Sequence, residues 1–267
     1  MNKLVVVNDV VKEQILDDSI QLSFVPKNEE FGVNLLRIKA TESTRLEIYY
    51  ENDKKSKLDI WIDVDEKVHF ELIEIRNGVS SKVQYHNSLS KNSSFFSQKL
   101  YFVEGMREVS YTFLNGENAQ YHSVLKTIST KKEKYDMEII HNAKHTESNI
   151  INHGVNVKDG SIIFNVTGTI PKGMKESTLN QFNRILTFNE EECKISPILL
   201  VDEEDVIANH SAYIGKFREE ELFYLMSRGI HEKDATMLLT KGFLRSKLHL
   251  EEELLEQYEK KLDTVWR

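Results

Sequence analysis

Residues 197–230 have the sequence PILLVDEEDVIANHSAYIGKFREEELFYLMSRGI, and the hydrophobic period changes inside this stretch. Up to Gly215 the pattern is mostly of period two, which is typical of β-strands with one buried face. From Arg218 onward the apolar residues recur at the three- and four-residue spacing of an amphipathic helix. The change predicts a β domain over residues 1–216 and a C-terminal helical module over residues 217–267.

The helical module contains three amphipathic runs. The first ends at Gly229, a residue suited to the left-handed conformation that closes a helix. Acidic residues begin the later runs, and Lys260 and Lys261 lie towards the end of the last one, as the helix dipole favours. Three helices of this size have little core of their own. We therefore expect them to pack on the β domain, on a partner, or on both.

The β domain is predicted from alternation in many short segments. Residues 58–64, LDIWIDV, alternate strictly, and segments like this one, separated by turn signals, give well over ten strands. The phase slips by one residue between Leu72 and Ile73, which indicates a bulge or a strand buried on both faces. Such strands fit a sandwich, a barrel or a β-helix, and the polar composition of residues 142–156 favours the β-helix.

Composition excludes some classes of function. The formal net charge of −8 argues against nucleic acid or an anionic membrane as the main partner, because both favour a basic surface. No stretch approaches the ~18 apolar residues of a membrane span, the N-terminus does not resemble a signal peptide, and a single cysteine fits a reducing compartment. We therefore expect a cytoplasmic protein. No P-loop motif is present, so we do not expect the chain itself to hydrolyse nucleotides.

Four histidines and the single cysteine are candidates for a metal site: His141, His145, His153, His210 and Cys193. The first three lie in one polar segment, and if His141 and His145 occupy a strand they share a face. Neutral imidazole and thiolate are common metal ligands. The alternative is that the histidines lie on a polar surface or interface and that Cys193 is a buried or inert thiol. Residue types alone favour the alternative.

The stretch Leu222–Ile230, LFYLMSRGI, resembles nearly letter for letter a motif of the SufB/SufD family of iron–sulfur cluster assembly scaffold proteins. Gly242 and Phe243 continue the match, after apolar residues of the second helical run. Residues 197–215 resemble the end of the β domain in that family, where a proline and an apolar strand lead to a histidine turn. Residues 145–179 match less strongly, and residues 1–116 show no motif that matches.

The resemblance implies a right-handed parallel β-helix followed by a small α-helical module, and a scaffold role without catalysis. It implies that the helices bind a SufC-type ATPase and that the β-helix pairs with a SufB-like subunit or with a second copy. No cofactor is expected to bind tightly, although a transient iron–sulfur cluster at the subunit interface fits the family. The residues that the match assigns to the ATPase contact are Leu222, Phe223, Tyr224, Ser227, Arg228, Gly229, Ile230, Gly242 and Phe243.

The turn around His210, ANHSA, resembles the SufD type rather than the SufB type. In SufB a second glutamate follows the histidine, and a cysteine lies six positions before the proline. Here Cys193 lies four positions before Pro197. The resemblance therefore assigns His210 to cluster assembly at the scaffold interface, with Cys193 and His145 as weaker candidates. Ser211 in place of the family glycine marks a divergent member.

Two functions from other classes stay open. One is a β-helical carbohydrate-active enzyme that uses acidic side chains on the solenoid. The 43 Asp and Glu residues offer no specific pair for that chemistry. The other is a homodimeric scaffold that holds a metal through histidine and cysteine side chains.

Overall fold

The computed structural model describes residues 2–27 and 33–266 of the chain. In sequence order the strands are β1 (Asn2–Val7), β2 (Val10–Ile15), β3 (Ile20–Val25), β4 (Asn34–Ala40), β5 (Thr44–Asn52), β6 (Ser56–Val64), β7 (His69–Leu89), β8 (Ser94–Leu114), β9 (Gln120–Ser129), β10 (Lys132–His141), β11 (Glu147–Asn156), β12 (Ser161–Ile170), β13 (Ser177–Thr187), β14 (Lys194–Val201) and β15 (Val206–Gly215). The helices are α1 (Glu219–Met226), α2 (Glu232–Arg245) and α3 (Glu252–Trp266). None of these helices is long and apolar enough to cross a membrane.

The strands form a parallel β-solenoid of about seven turns, which confirms the predicted β-helix. The first sheet contains β1, β5, β7, β8, β9, β11, β13 and β15 in that order, and the second contains β4, β6, β7, β8, β10, β12 and β14, because β7 and β8 each cross both sheets. Turn length varies, since the turn from His69 to Ser94 is shorter than the turn from Glu147 to Thr178. The sequence therefore shows no constant repeat. At the N-terminal end, β2 and β3 pair antiparallel with β1 and β4.

Charged and phenolic side chains cross the apolar interior between the two sheets. Arg76 Nε donates a hydrogen bond to Glu74 Oε1 at 2.5 Å, and Tyr85 OH donates to the same carboxylate at 2.6 Å. Lys99 Nζ donates to Glu108 Oε1 at 2.5 Å. All five side chains are buried. Buried charge is tolerated only where it is paired, so these contacts hold the two segments of β7, and likewise the two segments of β8, together across the interior.

The helical module packs on the outer face of the first sheet. Leu254, Tyr258 and Leu262 recur every four residues along α3 and are buried. The apolar residues beneath α2 and α3 belong to successive turns of the solenoid: Ile73, Ile75, Leu100, Ile128, Val155, Val157 and Leu186. Burying a side chain of this size contributes about 1.5–3 kcal/mol. Docking on the β domain, one of the three expected arrangements, is therefore what stabilises α2 and α3.

The same packing explains the phase slip in β7. Leu72 points into the solenoid interior, and Ile73 lies under the helical module, so both are buried. The pairing of β7 with β8 runs through both residues in constant register, with Ser97 opposite Leu72 and Gln98 opposite Ile73. The slip therefore marks a strand buried on both faces, which was one of its two predicted causes, and not a bulge.

Replacing one partner of the interior ion pair will destabilise the fold. Arg76→Met leaves the Glu74 carboxylate buried without its cation, and we expect a loss of about 3–5 kcal/mol in the free energy of unfolding. Urea denaturation followed by circular dichroism measures this loss. The matched control is Arg107→Met, which breaks the ion pair with Asp136 near the surface and will cost about 1 kcal/mol or less. Equal losses in the two variants would contradict the proposed role of the interior pair.

Candidate functional site

The last turn of the solenoid has an uncovered edge. β15 pairs with β13 and β14 pairs with β12, and the described residues place no strand on the other side of either. Large apolar side chains on these two strands are exposed: Ile198, Leu200, Ile207, Tyr213 and Ile214. We call this surface, formed by β14 and β15, the open end. Unpaired strand edges with exposed apolar side chains are surfaces that another chain can cover.

His210 lies near the middle of β15, at the open end. Its register partner on β13 is Gln181, which is fully buried and belongs to the face that lines the solenoid interior. Residues in register share a face of the sheet, so His210 continues this interior column where no further turn covers it, and it is exposed. Within the part of the chain that the structure describes, its side chain has no hydrogen bond or ion pair. The imidazole is therefore accessible to a second protein.

The weaker candidates do not join His210. His145 lies in the turn between β10 and β11, where Nδ1 is 3.4 Å from a carboxylate oxygen of Glu176. Cys193 precedes β14, and its Sγ accepts a hydrogen bond from the backbone N–H of Ile162 at 3.4 Å. Over residues 2–27 and 33–266, no group of three or more His, Cys, Asp or Glu side chains is arranged to hold a metal ion. Within one chain, the described residues therefore form no His/Cys metal cluster.

The prediction that His141 and His145 share a strand is wrong. β10 ends at His141, and residues 142–146 form the following turn, so the spacing of a strand does not apply. His141 is buried, with Nδ1 2.7 Å from Thr146 Oγ1 and Nε2 2.8 Å from Ser148 Oγ. Burial lowers the pKa of His141 to about 4, so its ring is neutral at pH 7 and stabilises the turn.

Helix α1 presents a second exposed surface. Phe223 and Tyr224 are 72% and 59% exposed, and no residue of α1 is buried. On α2, which contacts α1, Leu238 is 52% exposed. We call these three side chains the α1 surface. Exposed aromatic residues are frequent anchors of protein interfaces, and this helix is the only one of the three in the described chain without a buried side chain.

The remaining residues of the matched motif hold α1 in place. Ser227 caps the helix, and Gly229 follows with φ +86°, the left-handed conformation predicted for it. The guanidinium of Arg228 lies 5.2 Å from the centre of the Tyr224 ring, which orients that aromatic side chain. Leu222 and Ile230 are half-buried.

Phe243 departs from the prediction that it contacts a partner. It is only 8% exposed, and its ring stacks on His153 with 4.2 Å between the centroids. Phe243 therefore belongs to the packing of α2 on the solenoid and is not available as a docking residue. Gly242, its neighbour, faces open space where a side chain would be, so this position stays accessible.

A column of basic residues lies under α2, and the sequence pattern did not predict it. Lys126, His153 and Arg184 are in register on β9, β11 and β13. The stretch of chain from Lys126 to His153 is shorter than the stretch from His153 to Arg184, so no period connects the three positions. Only the register of the turns brings them together.

The fold agrees with the comparison to known families. Residues 29–243 match the family model for the SUF system FeS cluster assembly, SufBD core domain. The chain belongs to the SufBD family. The matched range ends at Phe243, so it includes nearly all of the described solenoid together with α1 and most of α2. The predicted SufB/SufD resemblance is therefore confirmed.

Relatives within the SufBD family point to the SufD-like branch. The chain is 41% identical over 113 residues to the iron-sulfur cluster assembly protein SufD of Bacillus subtilis, which is 42% of this chain and 26% of that protein. It is 29% identical over 134 residues to a SufBD family protein of Staphylococcus epidermidis, which is 49% of this chain and 29% of that protein. The matched segments cover less than a third of either relative.

The thiol of Cys193 will react slowly in the folded chain. Burial raises the pKa of Cys193, so the thiolate fraction near pH 8 is smaller than for a free cysteine. We expect an aromatic disulfide reagent to modify Cys193 several-fold more slowly in the folded chain than in the chain unfolded in urea. The folded rate will rise as pH increases beyond the ordinary range of a thiol pKa. A folded rate equal to or above the unfolded rate would show an activated thiolate instead.

Proposed function

We propose that this chain is a SufD-like scaffold subunit of iron–sulfur cluster assembly and not itself an enzyme. In this proposal α1 docks a SufC-type ATPase, and the open end pairs with a SufB-like subunit or with a second copy. A cluster is present only transiently, at the interface that contains His210. The observation that carries the proposal is the presence, in one SufBD-family chain, of two separate exposed surfaces at the positions of the family motifs.

Support for ATPase docking comes from the contrast between the helices. The apolar faces of α2 and α3 are used against the solenoid, whereas Phe223 and Tyr224 of α1 face solvent. The fold does not need these two aromatic side chains for its core. Contact with a partner therefore best explains why these two residues are part of the LFYLMSRGI motif.

Support for pairing comes from the geometry of the open end. Ile207 and Tyr213 lie on the outer face of β15, and Ile214 lies on the face that continues the interior. Covering both faces and the free edge needs another sheet that continues the solenoid, and a related β-helix offers one. His210 lies inside such an interface and close to its centre along β15. Within the interface its imidazole can bind iron or take part in proton transfer.

Docking of the ATPase will depend on Phe223. When the tagged full chain is co-expressed with a SufC-type ATPase, we expect the two to co-purify. Phe223→Asp will weaken retention about 30-fold or more, because an aromatic anchor contributes about 2 kcal/mol or more and aspartate cannot replace it. Pull-down followed by titration of the purified ATPase measures the affinity.

The matched control for this variant is Ile15→Asp. Ile15 is also an exposed apolar residue, at 55%, but it lies on β2 at the opposite end of the solenoid. Ile15→Asp will leave retention of the ATPase unchanged. Failure of the unaltered chain to retain the ATPase, or equal retention by Phe223→Asp, would overturn the docking proposal.

Two variants will distinguish subunit pairing from cluster formation at the open end. Ile207→Lys puts a charge on the outer face of an exposed edge strand, so we expect the complex with a SufB-like subunit, or the homodimer, to dissociate. His210→Ala removes only the imidazole, so the complex will keep its mass while cluster formation falls. Light scattering after size exclusion gives the mass, and the cluster absorbance after anaerobic assembly gives the yield.

Val10→Lys serves as the control for Ile207→Lys, because Val10 is an exposed apolar residue on β2 at the other end of the chain's solenoid. Val10→Lys will not change the mass of the complex. Undiminished mass in Ile207→Lys would place the interface elsewhere. Undiminished cluster yield in His210→Ala would remove the proposed role of that side chain but leave the pairing proposal standing.

A further inference from the structure

A cleft of about 460 Å³ lies between the solenoid and the segment that joins α2 to α3. The outer face of the first sheet forms its floor, with Val124 and Ile151 between Phe96 and Phe182. Its size falls within the range of about 300–1,000 Å³ that is usual for small-molecule sites. This cleft contains neither His210 nor any residue of the α1 surface.

Imidazole and ammonium groups form the polar part of the cleft. His122 and His153 come from β9 and β11, and Lys247 and His249 come from the joining segment. Among the described residues that line the cleft there is no carboxylate, although Glu147 lies 3.6 Å from His122 Nε2. Asn149 and Ser246 complete the polar lining. Burial lowers the pKa of His153 to about 3, so its ring is neutral at pH 7, and its Nδ1 lies 2.7 Å from Lys126 Nζ.

The positive charge around the cleft has no counter-ion within the described chain. Lys126 and Arg184 lie directly behind the lining, on either side of His153 in the basic column. No carboxylate forms an ion pair with Lys126, Arg184 or Lys247 in residues 2–27 and 33–266. Burial, reinforced by Lys247, lowers the pKa of Lys126 to about 7. Arg184 Nε is buried and has no hydrogen-bond partner.

The joining segment is held in a defined position over this charge. Gln98 accepts a hydrogen bond from the backbone N–H of His249 at 2.8 Å and donates one to the carbonyl of the same residue at 3.1 Å. Lys247 has φ +65°, a left-handed conformation that is uncommon for lysine. On the floor, Asn149 Oδ1 is buried with no hydrogen-bond partner. The left-handed backbone at Lys247 is a feature of a prepared binding site, and the unpaired Asn149 oxygen shows that this amide is not used by the fold.

We propose that this cleft binds a small organic anion, with a phosphate or carboxylate group held by Lys247 and the imidazoles of His122 and His249 and an apolar body packed on Phe96 and Phe182. The anion supplies the missing counter-charge for Lys247 and Arg184, and the amide Nδ2 of Asn149 can donate a hydrogen bond to it. The site is independent of the proposed ATPase and scaffold interfaces. Occupancy of the cleft joins α2 and the solenoid, so ligand binding will also raise the thermal stability of the chain.

Titration of the full chain with phenyl phosphate and with benzoate, followed by calorimetry, tests this proposal. We expect at least one of the two to bind and to shift the imidazole NMR signals of His122 and His249. Benzyl alcohol has the ring without the charge and will bind much more weakly. Binding of phenyl phosphate alone identifies the phosphate class, and binding of benzoate alone identifies the carboxylate class.

Two variants test the role of the charge. Lys247→Asn removes the cation but keeps a residue that tolerates the left-handed conformation, and we expect affinity to fall about tenfold. His122→Gln, on the opposite side of the cleft, will weaken binding several-fold. Lys233→Gln removes an exposed cation at the other end of α2 and is the control with no expected effect. Absence of binding by both anions, equal binding of benzyl alcohol, or unchanged affinity in Lys247→Asn would overturn the proposal.

Discussion

The apolar outer face of the first sheet is the constraint on which the rest of the arrangement depends. A solenoid of parallel strands buries its interior by itself, but Leu100, Ile128 and Val155 face outward on successive turns and need cover. The helices α2 and α3 provide that cover with their apolar stripes. Since those stripes are used in this way, α1 is left with exposed aromatic side chains, and the segment between α2 and α3 is drawn across the sheet to form a cleft.

The two ends of the solenoid have different strand arrangements. At the N-terminal end, β2 and β3 turn back antiparallel against β1 and β4. At the C-terminal end, β14 and β15 have no such strand among the described residues, and apolar side chains and His210 are exposed there. Both ends therefore leave edge strands unpaired among the described residues, antiparallel at the N-terminal end and parallel at the C-terminal end, where His210 is exposed. The parallel pairing of β15 with β13 places His210 opposite Gln181, so the exposed column that contains His210 is set by strand register and not by local loops.

Sequence patterns were sufficient for the parts of the molecule that depend on local period. The alternation in residues 58–64, the helical spacing after Arg218 and the left-handed Gly229 all predicted the local structure. The phase slip at Leu72 and Ile73 left two causes open, a bulge or burial on both faces, and the structure shows the second. Contacts between turns could not be predicted, because turns of unequal length hide the register. For that reason the basic column behind the cleft was not recognised. The family resemblance assigned Phe243 to a partner, and the stacking of Phe243 on His153 depends on the packing of α2 on the solenoid, which the sequence does not show.

We infer that α2 and α3 are fixed on the solenoid, whereas the exposed side chains of α1 are available to a partner. Hydrogen exchange of the full chain, with and without a SufC-type ATPase, tests it most directly. We expect the amides of α3 around Tyr258 to be protected in the free chain and unchanged by the ATPase, because this helix is already packed. The amides of α1 will exchange quickly in the free chain and become protected in the complex. Protection gained by α3 instead of α1 would contradict the claim.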